Sequence, residues 1–169
     1  LSLYQTAFVH KSYCPMVDYE EFTNDNKDLP LQNTSYETME FLGDSILSSS
    51  VSSYLYKRFY EIYGENEGFL TKIRTRIVCG ENLAKLSSDL KFNEFIIISK
   101  HIEENCSGRS NMHILEDVFE AFLGAIFLDN DYEFAKKVIL TIVEELVDFT
   151  DIIINDNNYK DQILKYCQH

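Results

Sequence analysis

Little in this sequence of 169 residues works against a packed core. It has only two prolines and six glycines, too few for a disordered, collagen-like or repetitive chain. Long apolar runs are missing too. The longest, Ala121 to Leu128, is far short of the roughly 20 residues that a bilayer-spanning helix needs, and it contains Gly124. No membrane partner is therefore expected. No charged-then-apolar leader opens the sequence, so no secretory signal is visible, and a start at Leu1 rather than Met is expected of an excised fragment. The four cysteines (Cys14, Cys79, Cys106 and Cys167) lack the close spacing of a zinc knuckle or a redox pair. Free thiols, and with them an intracellular, cytoplasmic location, are the expectation. Positive charge is scarce as well: 15 Lys and Arg stand against 28 Asp and Glu, a formal net charge of -13. A nucleic-acid surface normally needs a basic footprint. Either the chain does not meet nucleic acid, or a cation corrects its carboxylates.

What is present is a hydrophobic content of 45%, with 14% aromatic residues, which is ample for one packed domain. The patterning is helical. A short helix is expected over Leu3 to Lys11, a polar loop over Asp18 to Ser35, and a long helix over Tyr36 to Phe59. Leu70, Ile73 and Ile77 recur at three- and four-residue steps, with Lys72 and Arg76 on another face. Further helices are expected over Glu81 to Leu90, Ile114 to Leu128 and Tyr132 to Phe149, with a loop over His101 to Asn111. Phe95 to Ile98 reads as a short strand, and one such run makes no sheet. The fold class is all-α. Residues 1–150 form one domain, 151–158 an Asn- and Asp-rich linker, and 159–169 the start of a new amphipathic helix.

Two helices carry acids in a pattern. Glu37, Glu40 and Asp44 are three and four residues apart, which places them on one face within about a sixth of a turn. Asp117 and Glu120 repeat that spacing on a second helix that is otherwise almost wholly apolar, from Val118 to Leu128. Acids at such steps usually form a solvated face, and Asp117 could simply be favoured by a helix N-terminus. An apolar helix is buried, however, and carboxylates there are costly unless compensated. Gly124 lies four residues beyond Glu120, and Gly43 adjoins Asp44. Each glycine costs about 1 kcal/mol in a helix interior, so a close approach of the two helices, acids facing, is expected. Clustered carboxylates repel, and an oxygen-only ligand set suits Mg²⁺ or Mn²⁺. Spacing alone takes the reading to a divalent-metal site.

The residues themselves go further. Glu37-Thr-Met-Glu40-Phe-Leu-Gly-Asp44 resembles the signature helix of the ribonuclease III family, and the run from Leu115 through Asp117 and Glu120 to Asp129 resembles its second acidic helix. Ala7-Phe-Val-His-Lys-Ser-Tyr13 is similar to the family's Thr-His-Lys-Ser-Tyr element, and Glu67-Gly-Phe-Leu-Thr to its Glu-Gly-x-Leu-Thr segment. The resemblance implies a helical catalytic domain that forms a two-fold homodimer and cuts double-stranded RNA, leaving 5′-phosphate and 3′-hydroxyl ends. It implies that Glu40, Asp44, Asp117 and Glu120 bind Mg²⁺, with Mn²⁺ able to substitute. Glu37 and Glu67 would be peripheral acids of the catalytic site, and Phe41 would enter a socket on the partner subunit. The segment from Tyr159 resembles the first helix of a double-stranded RNA-binding domain. Tyr36 stands where Asn is frequent, and Glu116 replaces a usual Ala or Gly, adding charge beside Asp117.

No histidine is needed for this chemistry. His10 is expected to pack or hydrogen-bond, and His101, His113 and His169 to lie at the surface. Lys57, Arg58, Lys72, Arg74, Arg76 and Arg109 are the candidates for phosphate contact. Two rivals remain at this stage: a non-catalytic dimer of the same fold that binds RNA or acts as a scaffold, and a helical protein whose acids bind calcium or a basic partner.

Overall fold

The computed structural model describes residues 3–15 and 29–154. Its order is α1 (Leu3–Thr6), a 3₁₀ turn Lys11–Tyr13, and α2 (Glu37–Leu55), which runs on through a π-helical turn Tyr56–Tyr60 into α3 (Glu61–Tyr63). Then come α4 (Glu67–Ile77), α5 (Gly80–Asp89), a 3₁₀ turn Phe92–Glu94, α6 (Lys100–Asn105) and another such turn, Gly108–Ser110. The last helices are α7 (Met112–Asp129), α8 (Tyr132–Leu146) and α9 (Phe149–Ile154). The all-α class holds. In place of the expected strand near Phe95–Ile98, the described residues contain an isolated parallel bridge between Val9 and Ile97.

Local chemistry explains most boundaries. The side chains of Asn66, Asn111 and Asp131 accept hydrogen bonds from the first free N–H groups of α4, α7 and α8. Such caps contribute about 1 kcal/mol each. Two expectations need correction for the same reason. Just before the expected loop His101 to Asn111, Ser99 accepts from Ile102 N at 3.4 Å and starts α6, which runs into that loop, and Ile102 packs against the core. Just before the expected linker, Asp148 accepts from Thr150 N and Asp151 N, starting α9, which runs into the linker, and buried Ile152 anchors it. Arg76 also donates to the Ile152 carbonyl at 2.8 Å, tying α9 to α4. Residues 155–158 of that linker and the proposed RNA-binding helix from Tyr159 lie outside the described residues, as does most of the expected loop from Asp18.

Helix α7 is the hub. It buries Ile114, Leu115, Val118, Phe119, Leu123 and Ile126, and α1, α2, α5 and α8 pack around it. At roughly 1.5–3 kcal/mol for each large apolar side chain taken out of water, this hub supplies much of the driving force for folding. The α2–α7 crossing is close because both helices have a glycine there. A Cβ on Gly43 would overlap the Glu120 carbonyl, and one on Gly124 would overlap the Met39 carbonyl. The N-terminal segment is held on the same hub by aromatic packing. Phe8 and Phe122 both lie edge-on to Phe92, with ring centroids 5.2 and 4.8 Å away.

Candidate metal centre

The crossing of α2 and α7 places the acids. Met39 and Gly43 of α2 bury into the interface, which leaves Glu40 and Asp44 on its flank. On α7, Glu120 sits directly at the crossing, where its own carbonyl backs onto Gly43. Asp117 is one turn earlier. It is not in the first turn of the helix, because Asn111 starts α7 at Met112 and the first turn has no acid. The favourable field of a helix N-terminus, which falls off within the first turn, therefore does not explain Asp117.

The acids of the two helices lie within one another's electrostatic fields. Glu120 is only 9% exposed, and its carboxyl is pushed up to about 8, first by burial and then by the charges of Asp44, Glu116, Glu40 and Asp117. Glu40 rises to about 6 through burial, then Asp117, Glu37 and Glu116. Asp117 is also raised, chiefly by burial, although a hydrogen bond from Tyr36 acts in the opposite sense. Glu116, which the sequence marked only as an extra charge, is thus part of the acidic field. Its carboxylate packs against Gly80 at the start of α5.

Glu37 lies at the rim. It is exposed and ion-paired with Lys11 at 3.1 Å, which with the hydrogen bond from that ammonium holds its carboxyl below the ordinary value. Glu67 stands apart as the first residue of α4, where it accepts from Thr71 Oγ1 at 2.9 Å. His10 is a structural hydrogen-bonding residue: its Nδ1 accepts from Ser12 N at 3.1 Å. His101 and His113 are exposed. Several of the candidate cations are committed within the protein. Arg58 stacks on Tyr54, Phe59 and Phe149, Arg76 holds α9, and Arg109 bonds Glu103 and two backbone carbonyls. Cys14, Cys79 and Cys106 are free.

Whether these residues suit a divalent cation turns on the donor set. Among the described residues no three His, Cys, Asp or Glu side chains converge as a ready-made ligand group. Glu120 nevertheless has no hydrogen-bond or ion-pair partner among them. A buried carboxylate in that state costs several kcal/mol unless it protonates or meets a cation. Oxygen donors from Glu40, Asp44, Asp117 and Glu120 are the kind that Mg²⁺ and Mn²⁺ take. The donor chemistry of these residues suits such an ion, although their side chains are not converged on one point.

Tyr36 is the residue that sequence reasoning undervalued. Its hydroxyl donates to Asp117 Oδ2 at 3.0 Å, across 81 positions of sequence. Nothing in the spacing of the acids points to it.

The chain matches the ribonuclease-III-like family over residues 1–146. It is 39% identical over 133 residues to the probable ribonuclease 3 of Acanthamoeba polyphaga mimivirus, covering 78% of this chain and 23% of that protein. To ribonuclease 3 of Francisella tularensis subsp. holarctica it is 41% identical over 127 residues, or 75% of this chain and 52% of that one. Among solved structures it is similar to the nuclease domain of ribonuclease III from Campylobacter jejuni, described for structural flexibility in a region involved in dimer formation. That likeness has a TM-score of 0.71 and 32% identity, over 86% of this chain and 87% of the other. The chain spans about half of the Francisella relative and about a quarter of the mimivirus one. No helix among the described residues is long and apolar enough to cross a membrane.

Proposed function

This chain belongs to the ribonuclease III family, and on that premise we propose that it is an endoribonuclease that hydrolyses double-stranded RNA with the help of Mg²⁺. The observation that carries the reading is Glu120: buried, without a partner, and ringed by other carboxylates. Natural proteins rarely keep such a charge unless it is used. Glu40, Asp44, Asp117 and Glu120 would hold the cation. When bound, a divalent ion polarises phosphoryl oxygens and lowers the pKa of water, so that hydrolysis proceeds at neutral pH. The α2–α7 crossing keeps the carboxylates on two rigid helices rather than on loops, which favours a reproducible geometry. Glu37, held by Lys11, and Glu67 on α4 lie outside that ligand set, as supporting acids.

A bound cation also answers the charge problem. The acids are offset where the phosphate docks, although the chain as a whole remains strongly anionic. Duplex RNA is read mostly by its shape and its 2′-hydroxyls, so little base preference is expected. The direct test is to incubate the chain with duplex RNA in Mg²⁺ or in excess EDTA. Cutting is expected only with metal, with products that carry 5′-phosphate and 3′-hydroxyl ends. Cutting that persists in EDTA, or none in Mg²⁺ or Mn²⁺, overturns the reading.

Assembly follows the same line. Phe41 is next to Glu40, one of the proposed metal ligands, yet the residue is 79% exposed. A large apolar side chain presented from a rigid helix is a natural anchor for a partner. In a two-fold dimer each copy would bury the other's ring. Phe41→Ala should therefore remove two anchors and raise the dimer dissociation constant by at least about tenfold. Analytical ultracentrifugation over a dilution series reads this directly, and an unchanged dissociation constant argues against Phe41 at the interface.

A further inference from the structure

The sequence leaves Tyr36 as a mere departure from a commoner Asn, but the structure gives it two roles at once. Its backbone opens α2: the Tyr36 carbonyl accepts from Met39 N at 2.8 Å and from Glu40 N at 2.9 Å. Its side chain reaches α7, where the hydroxyl donates to Asp117 Oδ2 at 3.0 Å. Tyr36 is 2% exposed, so the donor end of the bond is sheltered from water, while Asp117 is half-buried. Its own position is fixed from a third direction. Tyr36 N donates to Val9 O at 2.9 Å, and the ring lies edge-on to His10 with centroids 5.8 Å apart. Phe8, beside Val9, packs on Phe92 and Phe122.

We propose that Tyr36 is a positioning residue for the metal centre, holding one oxygen of Asp117 so that the other is presented toward Glu40 and Glu120. This inference rests on the metal-binding reading of those acids. A free aspartate turns about two side-chain bonds, and repulsion from Glu40 and Glu120 would swing it away from them. A buried phenol packed edge-on against His10 has little freedom, so a hydrogen bond from it restrains the plane of the carboxylate. Because the same residue starts the turn that carries Glu40, it also ties the spacing of the two acidic helices to one anchor. Tyr36 need not touch RNA or donate a proton for this role.

The test deletes a single oxygen atom. Tyr36→Phe keeps the ring, its packing and every backbone bond. Mn²⁺ is the probe, with affinity read by electron paramagnetic resonance on the folded chain. Outer-shell partners of metal ligands typically contribute 10- to 100-fold to affinity. Tyr36→Phe is therefore expected to weaken Mn²⁺ binding by about tenfold. The Mg²⁺ concentration for half-maximal cutting should rise by a similar factor, with KM for RNA unchanged. A variant that loses metal-free thermal stability but binds Mn²⁺ as tightly as the parent would make Tyr36 a packing residue and overturn the proposal. A parent chain that takes up no Mn²⁺ defeats the metal reading itself, and this inference with it. Should Tyr36→Phe fail to fold, proton resonance on the unaltered chain provides the second measurement. The Tyr36 hydroxyl proton is expected to shift when Mg²⁺ is added, and a resonance that does not move counts against the clamp.

Discussion

Glu120→Gln is expected to abolish cutting while making the metal-free protein more stable, and the gain should grow with pH. The loss of activity follows from replacing a charged ligand with a neutral amide of the same size. A drop of more than about 100-fold is expected, beyond what losing an outer-shell partner costs. The stability gain follows from linkage. The Glu120 carboxyl titrates at about 8 in the folded chain, against an ordinary value of 4.5. Between those pH values the folded state binds more protons than the unfolded state, so stability falls as pH rises. Below about pH 4.5 both states are protonated and the penalty vanishes, and by about pH 8 it is fully present. Glu40, raised to about 6, adds to the fall over the lower part of that window, and Asp117 acts in the same direction. His10 opposes it: burial lowers its value, so its contribution to stability rises with pH below about 6.5. A shift of the size of Glu120's corresponds to a few kcal/mol at most. Urea melts of parent and variant at pH 5 and pH 8, both in EDTA, should diverge at the higher pH. Added Mg²⁺ should raise the parent's midpoint through binding to the native state and leave Glu120→Gln nearly unmoved. Equal stability of the two proteins at pH 8 would show that Glu120 carries no buried charge. Cutting by the variant within tenfold of the parent would remove it from the ligand set.

Gly43→Ala should be among the most damaging single-methyl additions available in this protein. In an open helix the change is favourable by about 1 kcal/mol. Here the new methyl would overlap the Glu120 carbonyl and lie 3.0 Å from Gly124 N, so the clash is with backbone on the central helix. Neither atom can rotate away. Helices α2 and α7 would have to move apart along the contact that carries much of the core, at a cost above the roughly 1–3 kcal/mol of ordinary overpacking. The expected result is a chain that is largely unfolded or has lost most of its denaturation midpoint. Gly68→Ala on α4 is the matched control, since its methyl would meet only the Asn66 side chain, at 3.3 Å. Its stability should lie within about 1 kcal/mol of the parent's. Similar midpoints for Gly43→Ala and the parent would mean that the helices do not cross this closely.

The two predictions divide what was readable in the sequence from what was not. The five spaced acids, the apolar stretch around Asp117 and Glu120, and the glycines beside them were enough to expect two close helices with facing carboxylates. Those properties are written in local periodicity, and a helix turns it into a face without help from the rest of the chain. The resemblance of four ordered motifs to one family was likewise a property of the sequence itself. Helix ends were less well determined. Ser99 and Asp148 start α6 and α9, which run into segments that read as loop and linker, because a cap matters only when the following residues have something to pack on.

Other features belong to the tertiary structure alone. That Glu120 is the buried acid while Asp44 stays exposed depends on where the two helices cross, not on spacing within either. The bond from Tyr36 to Asp117 joins residues 81 positions apart, and the Val9–Ile97 bridge that helps to hold Tyr36's neighbours joins segments farther apart still. Periodicity records which way a side chain faces on its own helix. It holds no information about which distant atom will be waiting there, because that is settled only when the helices pack.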